Sequence, residues 1–272
     1  MHIKSGLFDH MVLQRTAKNV CDAIIKGTAV VDGILAARVK SRAGVAKNRA
    51  ARVMGRVVRG CFSARLTGLP AGGPYEIELF VRNADKRAMD SIVVHDVLVG
   101  DVWLLGGQSN MQGSGRITNT IKLHEQVRAF YMNDEWDIAQ DPIHNISEAV
   151  DTVHNGWVGP QKPRARCRLS ASIRGAGPGV SFALEMRRRT HVPQGLIPCA
   201  HGGTKMTQWN PALKKMGSKS LYGAMYRRFV KNGARVAGVI WYQGEADANG
   251  NNLELYFSRM KKLIGAMRRD FN

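Results

Sequence analysis

Cysteine is scarce in this sequence. The four cysteines, Cys21, Cys61, Cys167 and Cys199, are scattered with no C-x-x-C spacing. That excludes the common zinc and redox motifs and leaves a disulfide open. Cys199 follows the apolar Gly195-Leu-Ile-Pro198 and reads as a small core residue rather than a thiolate nucleophile. No apolar run approaches the roughly 20 residues needed to cross a bilayer, so no membrane partner is expected. The opening Met1-His-Ile-Lys-Ser-Gly6 lacks the apolar core of a secretory signal, and no cellular address is read from it. Repeats and low-complexity segments are absent. Acidic residues are also few, 21 against 40 Lys and Arg, for a formal charge of +19. Such an excess raises nucleic acid as a partner. However, residues 1–98 carry 16 basic and 8 acidic side chains and the remainder 24 and 13, so the excess is spread and not gathered in a stripe. Clusters such as Arg187-Arg-Arg189 and Arg227-Arg228 are short and helix-like, where a solvated face is the default. No nucleic-acid partner is expected.

What is present is enough apolar content, 44% of 272 residues, for a sizeable core and two domains. Residues 1–98 contain short β-like runs: Val20 to Ile25, Ala29 to Val31, Ile34 to Val39, Arg52 to Val58, Cys61 to Leu66, Tyr75 to Val81 and Ser91 to Leu98. Turn signals such as Asp32-Gly33 and Leu69-Pro-Ala-Gly-Gly-Pro74 separate them, which predicts an all-β sandwich domain, with the basic Lys40 to Arg59 segment as a solvated hairpin. Residues 99–272 have α/β texture. An apolar run, Val102 to Leu105, is followed by a long polar stretch over 110–180, read as an irregular functional segment. Then come a helix over Ser181 to Thr190, a strand over Gly195 to Ala200, a helix over Leu221 to Asn232, a strand over Val236 to Tyr242 and a helix over Leu253 to Arg269. That order implies a parallel sheet with its site at the strand carboxyl ends.

Three of these strands end in small polar groups: Gly107-Gln-Ser-Asn110, His201-Gly-Gly-Thr204 and Gln243-Gly-Glu245. Singly, each reads equally well as a turn or a helix cap. Brought to one sheet edge, they supply what acyl transfer needs: a hydroxyl on Ser109 to attack a carbonyl, and glycine amides with the Gln243 carboxamide to hold the developing oxyanion.

Gly100-Asp-Val-Trp103 with Gly107-Gln-Ser-Asn-Met111, Ile197-Pro-Cys-Ala-His-Gly-Gly-Thr204 with Gln208-Trp-Asn-Pro211, and Gly238-Val-Ile-Trp-Tyr-Gln-Gly-Glu245 resemble the sialate O-acetylesterase-like carbohydrate esterases of the SGNH hydrolase superfamily. Leu7-Phe-Asp-His-Met-Val-Leu-Gln-Arg15 is similar to that family's entry into an N-terminal β-domain. The resemblance implies a flavodoxin-like hydrolase domain over 99–272 behind a β-sandwich over 1–98. It implies removal of O-acetyl groups from carbohydrates through an acyl-enzyme, with an O-acetylated sugar or glycan as partner and neither metal nor organic cofactor. Ser109 is then the nucleophile. Its amide, a glycine of the pair Gly202 and Gly203, and Gln243 form the oxyanion hole, and Asn110, His201, Trp209 and Glu245 surround the substrate. For Trp209, a packing role at the rim is the competing reading.

The sequence departs from the family in one respect. The resemblance places the general-base histidine and its aspartate in a segment after the last strand, near the C-terminus, and no such segment follows the helix ending before Asn272. The hydrolase domain is therefore expected to be C-terminally incomplete, with an unpaired sheet edge. Two D-x-x-H tetrads, Asp141 to His144 and Asp151 to His154, lie between the first and second blocks and are read as loop or pocket residues. The alternative function is a catalytically dead carbohydrate-binding protein.

Overall fold

The structure, a computed structural model, describes residues 1–41, 49–82, 87–117, 121–156, 174–249 and 251–271. Cys167 and part of the basic hairpin expected between Lys40 and Arg59 lie outside the described residues. The first strands are β1 (His2–Ser5), β2 (Val12–Gln14), β3 (Val20–Thr28), β4 (Gly33–Ser41), β5 (Arg49–Val57), β6 (Cys61–Pro70), β7 (Gly72–Arg82) and β8 (Ala88–Gly107). Burial alternates along β3 and β6, so Cys21, Ala23 and Ile25 and, opposite them, Phe62, Ala64 and Leu66 face inward at period two. These strands form the sheet β1-β3-β6, and β5-β4-β7-β8 form part of a second sheet, with one hydrophobic core shared by both. The expected strand at Ala29 to Val31 is a turn: Val30 is exposed, and the Asp32 carboxylate accepts from the Arg59 and Gly60 amides.

β8 departs most from the sequence reading, which has Ser91 to Leu98 and Val102 to Leu105 as separate strands. They are one strand of 20 residues. Gly100 and Asp101 do not turn the chain. Gly100 lies so close to the next segment that a Cβ there would stand 1.9 Å from the Pro193 carbonyl oxygen, and the Asp101 carboxylate takes two bonds from Arg15 at 2.8 and 2.9 Å. The first half of β8 pairs antiparallel with β7, and the second half pairs parallel with later strands on both sides. Burial changes accordingly, from alternating to nearly continuous.

Beyond β8 come the one-turn helix α1 (Ser109–Gln112), β9 (Gly115–Arg116), β10 (Val127–Phe130), β11 (Trp136–Ile138), α2 (Thr152–Asn155), β12 (Arg174–Ala176), α3 (Pro178–Thr190), β13 (Gln194–Pro198), α4 (Leu221–Lys231), β14 (Gly238–Tyr242) and α5 (Asn251–Asp270). The parallel order is β10-β13-β8-β14, with β11 antiparallel at one end. β13 and β14 thus leave β8 in opposite directions, which makes the carboxyl end of β8 a topological switch point. One sheet face buries Leu105, Val127, Ala129 and Leu196 against Val180 and Ala183 of α3. The other joins Leu104, Phe130 and Ile197 to Tyr222, Met225 and Phe229 of α4 and Leu263 and Ala266 of α5. The stretch expected to be irregular therefore contains two strands of the large sheet, β10 and β11, and the small antiparallel pair β9 and β12.

α4 also carries a largely buried ion cluster. The Asp134 carboxylate accepts from Arg227 at 2.6 and 2.8 Å, from Arg228 at 3.0 Å and from Lys231 at 3.0 Å. Arg227 also bonds the Asp151 carboxylate at 2.6 and 2.7 Å. Arg228 is fully buried, donates to the Phe130 and Tyr131 carbonyls and lies 4.6 Å from the centre of the Phe130 ring.

Candidate active site

β8 ends in Gly106-Gly107, and the second glycine has φ +137° with the Tyr242 carbonyl oxygen 2.0 Å from where a Cβ would be. Both the backbone conformation and the space require glycine. Gly107→Ala is therefore expected to push β8 and β14 apart beside Ser109. It should cost at least about 2 kcal/mol of stability, read by urea denaturation, together with most of any Ser109-dependent activity. Past the glycine, the Gln108 amide donates to the Tyr242 carbonyl at 3.0 Å while the Gln108 side-chain oxygen accepts from the Ala246 amide at 3.1 Å. Gln108 thus ties the end of β8 to the loop after β14 through both backbone and side chain. Ser109 is the first residue of α1, partly exposed, with the turn closed by Gln112 N–H to the Gln108 carbonyl at 2.8 Å and Gly113 N–H to the Ser109 carbonyl at 2.8 Å.

The end of β13 lies against this turn. The His201 amide donates to the Gly107 carbonyl at 3.1 Å, and a Cβ on Gly202 would stand 3.6 Å from the Ser109 Cβ. Gly203, at φ +71° and exposed, turns the chain away. From the end of β14, Glu245 accepts a short hydrogen bond from the Asn110 carboxamide. The structure therefore brings Ser109, Asn110, His201, Gly202 and Glu245 into one cluster.

Two of the assigned donors are turned to other work. The Gly202 N–H is bonded to the Gln112 side-chain oxygen at 2.6 Å. The Gln243 carboxamide nitrogen donates to the Thr204 carbonyl at 3.2 Å and to the Asp247 carboxylate at 2.5 Å, while its oxygen is buried with no partner among the described residues. Asp247 also accepts from the Met206 amide at 2.9 Å, so it links the loops after β13 and β14. Trp209, assigned to the substrate, is fully buried. Its indole N–H donates to the Thr204 hydroxyl at 3.0 Å, and its ring packs edge-on against Trp241 at 5.0 Å. Most of its bulk is in the core, and it also lines a small cavity with Met206, Asn210, Pro211 and Arg259.

Neither D-x-x-H tetrad pairs its own carboxylate with its own ring. Asp151 is held by Arg227. The His154 ring instead meets His201, Nδ1 to Nδ1 at 3.0 Å, with the rings stacked at 5.2 Å. One nitrogen donates and the other accepts. Burial pushes His154 well below the usual imidazole range and lowers His201, so both are neutral near pH 7. Burial likewise lowers His144 to about 3. Asp141 moves the other way: burial raises its carboxyl to about 6 although the Gly177 and Ile143 amides bond it. A carboxyl raised in the fold is penalised once it ionises, so its contribution to stability falls as pH rises from about 4 to about 6. Asp141→Asn removes that penalty. Its stability relative to the parent should grow across this window, by on the order of 2 kcal/mol, and level off above it, as checked by denaturation at a series of pH values. Among the described residues no group of three His, Cys, Asp or Glu side chains is arranged to hold a metal ion.

Three participants were not found from sequence: Gln108, Gln112 and Asp247. Each is a short-range neighbour of an assigned residue, and Gln243 and Asp247 stand four apart as a linked pair. However, the partners of Gln112 and Gln108 come from other strand ends 90 and 138 residues away.

A parallel sheet whose switch-point strand delivers a serine against the glycine of a neighbouring strand end is an arrangement that α/β hydrolases use. The model of the family described as carbohydrate esterase, sialic acid-specific acetylesterase, matches residues 99–272, and the chain belongs to that family. A probable carbohydrate esterase of Arabidopsis thaliana is 31% identical over 180 residues, which cover 63% of this chain and 64% of that protein. Human sialate O-acetylesterase is 27% identical over 244 residues, 76% of this chain and 42% of that one. The crystal structure of a carbohydrate acetylesterase from Xanthomonas citri shares the fold, with a TM-score of 0.59 at 23% identity, over 99% of this chain and 57% of that chain. The chain thus spans less than two thirds of the length of each of these relatives.

Proposed function

We propose that Ser109 of this chain is the nucleophile in serine-dependent removal of O-acetyl groups from carbohydrates. The observation that carries the reading is Ser109 at the end of β8 with the Gly202 backbone packed against it, in a chain of the carbohydrate esterase family. In this reading residues 99–272 are the SGNH hydrolase domain and residues 1–98 a β-sandwich domain. The Ser109 hydroxyl attacks the acetyl carbonyl, the sugar hydroxyl leaves with a proton, and water then releases acetate from the acetylated serine. The Ser109 proton passes to a histidine, which the family resemblance assigns to a segment following the last strand. His154 and His201 are tied to each other and His144 is buried, which favours that assignment over a base in the tetrads. The substrate is an O-acetylated sugar. O-acetylated sialic acid and acetylated xylan both fit the motifs, and the charge of +19 suits an acidic glycan. The test measures acetate released from these two substrates by the protein. Release from at least one is expected. Binding of an acetylated sugar with no acetate released would overturn the reading in favour of a non-catalytic binding protein.

A further inference from the structure

The Gly202 N–H is assigned to the oxyanion, yet it is already satisfied by a neutral side-chain oxygen, Gln112 Oε1, at 2.6 Å. Gln112 closes the helical turn that begins with Ser109, and its amide is fixed by the Gln108 carbonyl. Its side chain is only half-buried, and among the described residues the bond to Gly202 is the one hydrogen bond it makes. The carboxamide oxygen therefore occupies the place on Gly202 where the carbonyl oxygen of a bound acyl group belongs, next to the residue that attacks it. The other side-chain donor assigned there, Gln243, is held by Thr204 and Asp247 in the buried interior and is far more constrained.

Resting on the reading of Ser109 as nucleophile, we propose that the Gln112 carboxamide is an internal stand-in for the substrate carbonyl. It keeps the Gly202 N–H occupied and aimed until an acyl group displaces it, and so sets the affinity for that group. A neutral carbonyl oxygen is no better an acceptor than the carboxamide it replaces, so displacement weakens ground-state binding. The oxyanion that forms during attack is a much stronger acceptor and holds the amide against Gln112. The cost of displacing Gln112 is met when the substrate binds and is carried unchanged into the transition state, so Gln112 acts on KM and leaves kcat nearly unchanged.

Two variants distinguish this from a buttress role. With 4-nitrophenyl acetate, Gln112→Ala is expected to lower KM by about threefold to tenfold, the range of one net hydrogen bond, with kcat nearly unchanged. Gln112→Glu, with the same shape and a charged acceptor, is expected to raise KM. A kcat for Gln112→Ala that falls tenfold with KM unmoved would instead make Gln112 a support for Gly202 and overturn the proposal. A second readout needs no turnover. In the full-length chain labelled with 15N-glycine, the Gly202 amide signal, assigned by its loss in Gly202→Ala, is titrated with 4-nitrophenyl acetate in Ser109→Ala and in Ser109→Ala/Gln112→Ala. The double variant is expected to respond at about threefold to tenfold lower concentration. Equal response, or none in either, would overturn the stand-in. Absence of Ser109-dependent acetate release would overturn the esterase reading alone.

Discussion

Ser109→Ala is expected to lower acetate release from 4-nitrophenyl acetate by at least about 10³-fold, because it removes the atom that forms the covalent intermediate and leaves only the surrounding donors to act on water. The loss should come without unfolding. The structural bonds at this position are made by the Ser109 backbone carbonyl, which accepts from the Gly113 amide at 2.8 Å and the Ser114 hydroxyl at 3.0 Å, and alanine retains it. Alanine is also a good residue at the start of a helical turn. The denaturation midpoint of Ser109→Ala should therefore match that of the parent within about 0.5 kcal/mol, so a rate lost together with stability would point to a structural and not a chemical role.

Asp134→Ala is expected to cost about 3–5 kcal/mol of stability, the range for breaking a buried ion pair from one side. The Asp134 carboxylate faces three cations, and without it the fully buried Arg228 keeps its charge with only carbonyl partners. Burial alone would raise the Asp134 carboxyl, but hydrogen bonds from Arg227 and the charges of Arg228, Arg227 and Lys231 outweigh it and hold it at about 2. A carboxyl depressed in the fold contributes stability that is complete above its unfolded value near 4 and is lost as pH falls toward about 2. Asp134 also sits at φ +65°, where Asp and Asn are tolerated better than Ala. Asp134→Asn therefore isolates the charge from the backbone effect: it should lose most of the stability at neutral pH and show little further loss in acid. Urea denaturation of both variants at pH 7 and in acid checks magnitude and sign.

Much of the architecture is legible in the sequence because it rests on local pattern. The strands β3, β4, β6 and β7 follow from period-two alternation and turn residues, and α3, α4, α5, β13 and β14 from helical spacing against short apolar runs. The three strand ends could be placed together from chain order alone, since a parallel sheet delivers them to one edge. What escaped depends on long-range partners. β10 was missed because Val127-Arg-Ala-Phe130 is short and interrupted by a charge; Arg128 is buried there, bonded to Asp96 at 2.8 Å from a strand far earlier in the chain. The fusion of two runs into β8 escaped because Gly100-Asp101 interrupts the apolar pattern, and only the close Pro193 backbone and Arg15 account for the strand continuing through it. In the site, residue types announce capacity and not current use. Gln243 and Gly202 are sound donors, but Gly202 is taken by Gln112 from 90 residues away, and the four-residue spacing of Gln243 and Asp247 does not by itself say that the carboxylate accepts from the carboxamide.

The most direct test of Ser109 as nucleophile is to mix the full-length chain with 4-nitrophenyl acetate, quench in acid within the first turnovers and map the protein by mass. One acetyl group on Ser109, absent from Ser109→Ala, is the predicted result. An acetyl group carried elsewhere while Ser109 stays unmodified, or ester turnover unaffected by Ser109→Ala, would contradict the account.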